Sequence, residues 1–472
     1  MSKRLNLFLF CTILLLYFSS CVKEGVNVKG SIKEIVSFSL KKTDGTALSV
    51  SEASVSIHRD TITISVPFLT DITRLAPEIE IKGVTISPAS GVVQDFSQPL
   101  TYTVKAEDGS MAAYKVIVKI DNPGGLVYIG SSDQHFYALD AQKGTIIWEY
   151  ASTASFAYSS ATYENGTVYV GGIDNYVYAF DAISGRVKWK FLAGTTGVES
   201  DAVVVNGTVY VGCNDDYLYA LDAGTGQLKW KFTTGGNVSS SPTVWNGVVY
   251  FGSSDGRLYA LDAGSGQLKW SYATGGMLNQ SGPALANGTV YVGSRDGYLY
   301  AVDAVSGMLK WRFSANGISL EQSSPTVAGG IVYIGAWYDV PSFTRKGSFY
   351  AVNAATGTLV WEALTNTGIS SSPTVSNGIV FLTADDLYLH ALDAATGATL
   401  WKQRILANSA SPAVSNGVVY VGGGGSGYIY AFDANSGMEK WRLKTTGLMT
   451  SCPLVITLKG KADYAGDSGM MN

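Results

Sequence analysis

Tyr259-Ala260-Leu261-Asp262-Ala263-Gly264-Ser265-Gly266-Gln267-Leu268-Lys269-Trp270 decides the fold, because its pattern returns eight times along the chain. Tryptophans stand at Trp148, Trp189, Trp230, Trp270, Trp311, Trp361, Trp401 and Trp441, with spacings of 41, 41, 40, 41, 50, 40 and 40 residues. A glycine precedes each by four residues, from Gly144 and Gly185 to Gly437. Eight residues ahead of each comes Asp140, Asp181, Asp222, Asp262, Asp303, Asn353, Asp393 or Asp433. A period near forty marks one supersecondary unit that stacks on copies of itself.

Working outward from that stretch, the whole unit can be read. Ser241-Pro242-Thr243-Val244-Trp245 is a first strand, and Asn246-Gly247, tolerant of positive φ, turns it into Val248-Val249-Tyr250-Phe251-Gly252. Asp255-Gly256 leads to a third strand, Leu258-Tyr259-Ala260-Leu261. Asp262 then accepts backbone N–H groups in a turn completed by Gly266, and Leu268-Lys269-Trp270 forms the outer strand. Its indole is large enough to pack on the next unit. Four antiparallel strands per unit predict a propeller, with a superhelical solenoid as the alternative.

Closure distinguishes the two. The first unit begins at Leu126-Val127-Tyr128-Ile129-Gly130, a second strand with no first. After Trp441 the chain supplies one more inner-type strand, Ser451-Cys452-Pro453-Leu454-Val455-Ile456. That orphan completes the first blade and removes an open edge. The expectation is an eight-bladed β-propeller over 125–460, closed by a C-terminal strand, with 461–472 as a tail.

Lys3 and Arg4 followed by an apolar run from Leu5 to Phe18 read as a secretory signal, too short to span a bilayer comfortably. Phe18-Ser19-Ser20-Cys21 resembles the lipobox of bacterial lipoproteins, which implies acylation of Cys21 as the mature N-terminus. More than one acyl chain is needed for a stable anchor, and a triacylated cysteine meets that need. Residues 1–21 are therefore signal and 22–30 a tether. Over 31–121, runs such as Val36, Phe38, Leu40 and Ile62, Ile64, Val66 alternate with period two. They predict half-buried antiparallel strands in a small β-sandwich. The segments Ser87-Pro88-Ala89-Ser90-Gly91, Tyr102-Thr103-Val104 and Glu107-Asp108-Gly109-Ser110 resemble immunoglobulin-like domains of Gram-negative surface lipoproteins, which act as spacers or adhesive modules. The predicted class is all-β throughout.

Composition narrows the function. Charged residues are 15% of 472 and the net charge is -4, which argues against nucleic acid as a partner. Of four cysteines, Cys11 and Cys21 belong to the signal, leaving Cys213 and Cys452 as a disulfide pair or, in preference, two isolated half-buried thiols. There is no Cys/His cluster, so no metal site is expected.

The repeat from Tyr259 to Trp270 resembles the tryptophan-docking motif of pyrroloquinoline-quinone (PQQ) repeat propellers, and it recurs over 125–460. The resemblance implies either quinoprotein dehydrogenases or non-catalytic, BamB-like lipoproteins of the machinery that assembles outer-membrane β-barrels. The dehydrogenases add a calcium held by acidic and amide side chains and a catalytic Asp, and some carry a disulfide between adjacent cysteines. Adjacent cysteines do not occur here, and His58, His135 and His390 are the only histidines. The pairs Asp215-Asp216 and Asp385-Asp386, in corresponding loops, read as solvated turn residues rather than calcium ligands. Eightfold repetition of an aspartate marks structure, whereas catalysis needs asymmetry. No catalytic residue, enzyme activity or cofactor, PQQ included, is expected.

Function is therefore sought where the repeats diverge. Entry to each inner strand aligns Tyr158, Glu199, Ser239, Gln280, Gln322, Ser370, Ser409 and Thr450, a ring around one channel mouth with Glu199 as its only charge. The fifty-residue interval carries an insertion containing Trp337, Phe343 and Arg345 on the same face. Glu199, Gln280, Gln322, Trp337, Phe343 and Arg345 form the candidate binding face, although a loop aromatic can simply pack on its own blade. The reading is a lipid-anchored scaffold of the bacterial outer membrane, at its periplasmic face or at the cell surface, that binds envelope or outer-membrane proteins. Capture of surface glycans or peptides is the second reading, and a PQQ-dependent dehydrogenase the third.

Overall fold

In a computed structural model the chain divides into two compact units, Met1–Asp121 and Asn122–Asn472. The structure describes residues 30–42, 54–66, 70, 72–120, 124–337, 347–365, 367–407, 409–457 and 462–463. The signal, Cys21, the tether up to residue 29, Phe343 and Arg345 lie outside the described residues. Every regular element among the described residues is a strand.

The first unit has two sheets. Glu34–Lys42 pairs with Leu75–Lys82, and a five-stranded sheet runs in the order Ser54–His58, Thr61–Val66, Met111–Ile120, Leu100–Lys105, Thr85–Ser87. Alternation along Thr61–Val66 buries Ile62, Ile64 and Val66 against Phe38, Leu40, Tyr102 and Val104. Phe38 meets Tyr102 edge-to-face at 5.4 Å. Two details depart from the sequence reading. Thr61–Val66 and Met111–Ile120 run parallel, so the domain is not wholly antiparallel. An irregularity between Ile35 and Ser37 turns Ile35 inward and leaves Val36 exposed.

The second unit consists of eight sheets, seven of four strands and one of five. In blade 4 the strands are Thr243–Trp245, Val248–Ser253, Arg257–Asp262 and Leu268–Ala273. The inner strand is shorter than the sequence suggested, and Pro242 just ahead of it has no N–H to give a ladder. Asn246 (φ 48°) and Gly247 (φ 73°) make the two-residue turn with both residues left-handed. At the opposite end of the third strand, Asp262 Oδ1 accepts the N–H groups of Gly264 (3.2 Å) and Ser265 (3.0 Å), while Gly266 N donates to Asp262 O at 2.8 Å.

The tryptophan explains the repeat. Trp270 Nε1 donates to Ala304 O in the next blade at 3.1 Å, and its indole lies so close to Gly307 that a Cβ there would sit 2.7 Å from Cδ2. Gly307 also holds φ +71°, which makes glycine doubly necessary. The same clasp passes from the last blade to the first: Trp441 Nε1 donates to Ala141 O at 3.0 Å and its ring covers Gly144. Leu454–Thr457 pairs antiparallel with Gly125–Gly130, so the ring closes as an eight-bladed propeller. Ala462–Asp463, within the expected tail, pairs with Leu454–Thr457 as a fifth strand on the side away from Gly125–Gly130.

Candidate functional site

The segments leading into the eight inner strands line one mouth of the channel; each contributes one position there and seven contribute a second. All eight aligned residues, Tyr158 to Thr450, line a cavity of about 170 Å³. Two residues further along, still ahead of the strands, a second layer follows, with Ser160, Asp201, Ser241, Ser324, Ser372, Ser411 and Cys452 in the same lining. The reading of Glu199 as the only charge at the mouth is thus corrected. These positions lie ahead of the inner strand, which begins at Val203, so strand alternation did not point to Asp201.

The two layers differ chemically. In the second, backbone N–H groups donate to the side-chain oxygen at the same position of the next blade. Cys452 N reaches Ser160 Oγ (3.0 Å), Ser160 N reaches Asp201 Oδ1, and Asp201 N reaches Ser241 Oγ (3.2 Å). Gly282 N, Ser324 N and Ser372 N likewise reach Ser324, Ser372 and Ser411 at 2.9, 3.0 and 2.9 Å. This layer is a hydrogen-bonded washer in which six backbone N–H groups bond six side-chain oxygens from blade to blade.

In the outer layer one arc is short and self-satisfied: Thr450 Oγ1 donates to Ala157 O at 2.6 Å, and Ser370 and Ser409 also have partners. On the other arc the side chains of Glu199, Gln280 and Gln322 and the hydroxyl of the exposed Tyr158 make no hydrogen bond or ion pair among the described residues. Beside this arc a groove of about 490 Å³ opens over blades 3 to 5. It shares Glu199, Gln280 and Gln322 with the mouth and adds Asn214, Asn237, Asn279 and Glu321 among others. Glu321 is buried; Asn279 Nδ2 donates to its carboxylate at 3.0 Å and Arg295 Nε stands 3.7 Å away. Burial pushes the Glu321 carboxyl above its usual range, and Arg295 opposes that shift.

Of the six candidate residues, the structure brings Glu199, Gln280 and Gln322 together. Trp337 is on the same face, its N–H donating to Ser319 O at 2.8 Å, but it lines neither cavity. Its indole packs on Gly368, where a Cβ would come within 2.2 Å of Cδ1.

The acidic pairs are not merely solvated. Asp215 Oδ2 accepts from Tyr219 OH at 2.6 Å, and Asp386 holds His390 Nε2 at 3.0 Å, four residues on in both cases. Asp133, Asp174, Asp255 and Asp296 clasp Tyr137, Tyr178, Tyr259 and Tyr300 in the same way. The recurring Asp-x-x-x-Tyr spacing was the available signal. Cys213 and Cys452 are free and both fully buried rather than half-buried, and burial pushes the Cys213 thiol up to about 12.

Comparison with known proteins follows this geometry. A family model described as outer membrane protein assembly factor BamB matches residues 118–200, 193–280, 278–367 and 345–469, about three quarters of the chain. Residues 35–118 match a model described as SGBP, N-terminal, the N-terminal domain of surface glycan-binding proteins. No curated protein matches the chain. Among solved structures, BamB from Moraxella catarrhalis is similar at 19% identity and TM-score 0.53, over 67% of this chain and 90% of that one. A europium-containing methanol dehydrogenase is similar at 16% identity and TM-score 0.54, over 66% and 81%. Quinohemoprotein alcohol dehydrogenase from Comamonas testosteroni is similar at 17% and 0.52, over 63% and 69%. These likenesses establish the propeller fold, which enzymes and non-enzymes share.

Proposed function

Since this chain belongs to the propeller family described as outer membrane protein assembly factor BamB, we propose that it is a non-catalytic binding protein of the bacterial envelope, anchored through Cys21, whose propeller mouth captures glycan. The observation that carries this reading is the arc of unpartnered Glu199, Gln280 and Gln322 above a layer that is hydrogen-bonded from blade to blade. Free carboxylate and amide groups on a rigid concave frame suit a ligand rich in hydroxyls, which both donates and accepts. The match of residues 35–118 to a surface glycan-binding N-terminal model supports the same choice.

PQQ itself fits this mouth poorly. It is a planar tricarboxylate, while the residues lining the mouth and groove include Glu199, Asp201 and Glu321 and no Lys, Arg or His. Among the described residues no three His, Cys, Asp or Glu side chains come together as a metal cage.

The family match favours a second reading, an assembly scaffold for outer-membrane proteins. Affinity electrophoresis of the full chain in polysaccharide-containing gels, beside crosslinking and mass spectrometry in intact cells, separates the two. Retardation by a polysaccharide without a stoichiometric protein partner supports capture. A specific outer-membrane protein partner with no retardation by any polysaccharide overturns it in favour of the scaffold.

A further inference from the structure

We infer that the ligand sits off the propeller axis, in the groove over blades 3 to 5, and that it is an uncharged glycan. The inference rests on the glycan reading above and adds to it a position and a charge class. Position follows from where hydrogen-bonding capacity is left over. Around the mouth the arc at Ser370, Ser409 and Thr450 is short and partnered within the protein. The opposite arc holds Glu199, Gln280 and Gln322, long side chains without partners, and only this arc opens into the larger groove.

The groove wall is held in place before any ligand arrives. Asn279 Oδ1 accepts from Ser254 Oγ at 2.6 Å while its Nδ2 donates to Glu321 at 3.0 Å, so that amide cannot turn freely. Asn214 Oδ1 accepts from Ser239 Oγ at 3.1 Å, which leaves its Nδ2 without a partner in the same groove. Free groups therefore comprise two kinds: a carboxylate that only accepts, and amides of which Asn214 offers a donor. A pair of neighbouring sugar hydroxyls satisfies both at once, one donating to Glu199 and the other accepting from an amide.

Charge class follows from what the lining lacks. Glu199 and Glu321 contribute carboxylates, the lining holds no Lys, Arg or His, and Arg295 beside it is paired with Glu321 at 3.7 Å. A uronate or sulfate brought into this groove meets like charge in a partly desolvated setting with no counter-charge in the lining.

The experiment is affinity electrophoresis of the full chain in gels containing a neutral galactomannan, xylan or β-glucan, or the acidic polygalacturonate or chondroitin sulfate. At least one neutral polysaccharide is expected to retard the protein, and neither acidic one at equal concentration. Asn214→Ala with Gln280→Ala is expected to weaken the neutral interaction at least tenfold, with melting lowered only slightly, because the Gln280 side chain makes no bond within the protein and that of Asn214 makes only the one its Oδ1 accepts from Ser239 Oγ. Thr450→Ala on the opposite arc should stay within about twofold of wild type. Glu199→Gln should keep neutral binding and relax the exclusion of polygalacturonate. If wild type and the Asn214/Gln280 double variant bind a neutral polysaccharide equally, the position is wrong while the glycan reading stands. Equal retardation by acidic polysaccharides overturns the charge class alone. If no polysaccharide retards the protein, the glycan reading falls and this inference with it.

Discussion

Removing residues 449–472 takes away the strand that turns an open array into a ring. Leu454, Val455 and Ile456 are 2%, 1% and 5% exposed, and burying such side chains stabilises by about 1.5–3 kcal/mol each, so about 5–9 kcal/mol for the three. Their backbone pairs with Gly125–Gly130 through Leu454↔Tyr128 to Thr457↔Gly125, and each hydrogen bond adds a net ~1 kcal/mol. Set against ~5–15 kcal/mol for a whole domain, the loss is comparable with total stability. It also bares the edge of Gly125–Gly130, a strand buried along its length, as a template for pairing between molecules. Circular dichroism melting with size-exclusion chromatography is the assay. The truncated chain should melt far below the full one or elute as aggregate, and Ile456→Ala alone should cost about 2–5 kcal/mol. A monomeric truncated chain that melts within about 2 °C of the full one, a shift that corresponds to only ~1–2 kcal/mol in a unit of this size, would refute closure at this seam.

Trp270→Ala should cost about 3–5 kcal/mol in chemical denaturation, since it removes the cover of Gly307 and the bond to Ala304 O; a cost under ~1 kcal/mol would show that the tryptophan clasp does not hold the blades. Acid should destabilise the propeller between about pH 4 and 2. The backbone N–H and hydroxyl of Ser306, then Lys310, hold Asp303 down to about 2, and Asp222 and Asp262 are lowered by the same kind of turn. A carboxyl lowered in the folded state stabilises above its unfolded value and loses that contribution as pH falls. Replacing all three by Asn should flatten the melting-versus-pH curve there, because Asn353 already holds the same turn in blade 6; an unchanged slope contradicts the assignment. Cys21→Ala should release the protein from membranes, and a variant still bound after a high-salt wash contradicts the lipid anchor.

The fold was legible because the residues that define it do so through local rules. Asn246-Gly247 can only be a tight turn between two such strands, and Gly307 is required twice, by φ and by the indole of Trp270. Recurrence of these at a fixed period fixes blade number, and an unpaired strand at each end fixes closure. The first domain was less legible. Alternation reveals that a strand exists, but not that Thr61–Val66 pairs parallel with a strand about fifty residues away. Pairing direction depends on the path between strands, which one-dimensional periodicity does not encode. The mouth was half legible: alignment found the eight outer positions, while Asp201 and Glu321 needed the second layer and the groove to be seen together.

Glu199 and Asp201 show why residue type alone does not identify a site here. Both are carboxylates, two residues apart in the segment ahead of one inner strand, and both line the same mouth. Asp201 receives the N–H of Ser160 where most blades place a serine hydroxyl, so it does the work of the washer. Glu199 stands one layer out, where the repeat imposes no bond, and its charge is left for something outside the chain. The same contrast separates Ser370, Ser409 and Thr450 from Gln280 and Gln322. In a ring built from copies, symmetry consumes the groups that every blade needs. What one arc retains beyond that is the part of the sequence the fold does not explain, and it is there that Gln280 should prove expendable for folding and necessary for binding.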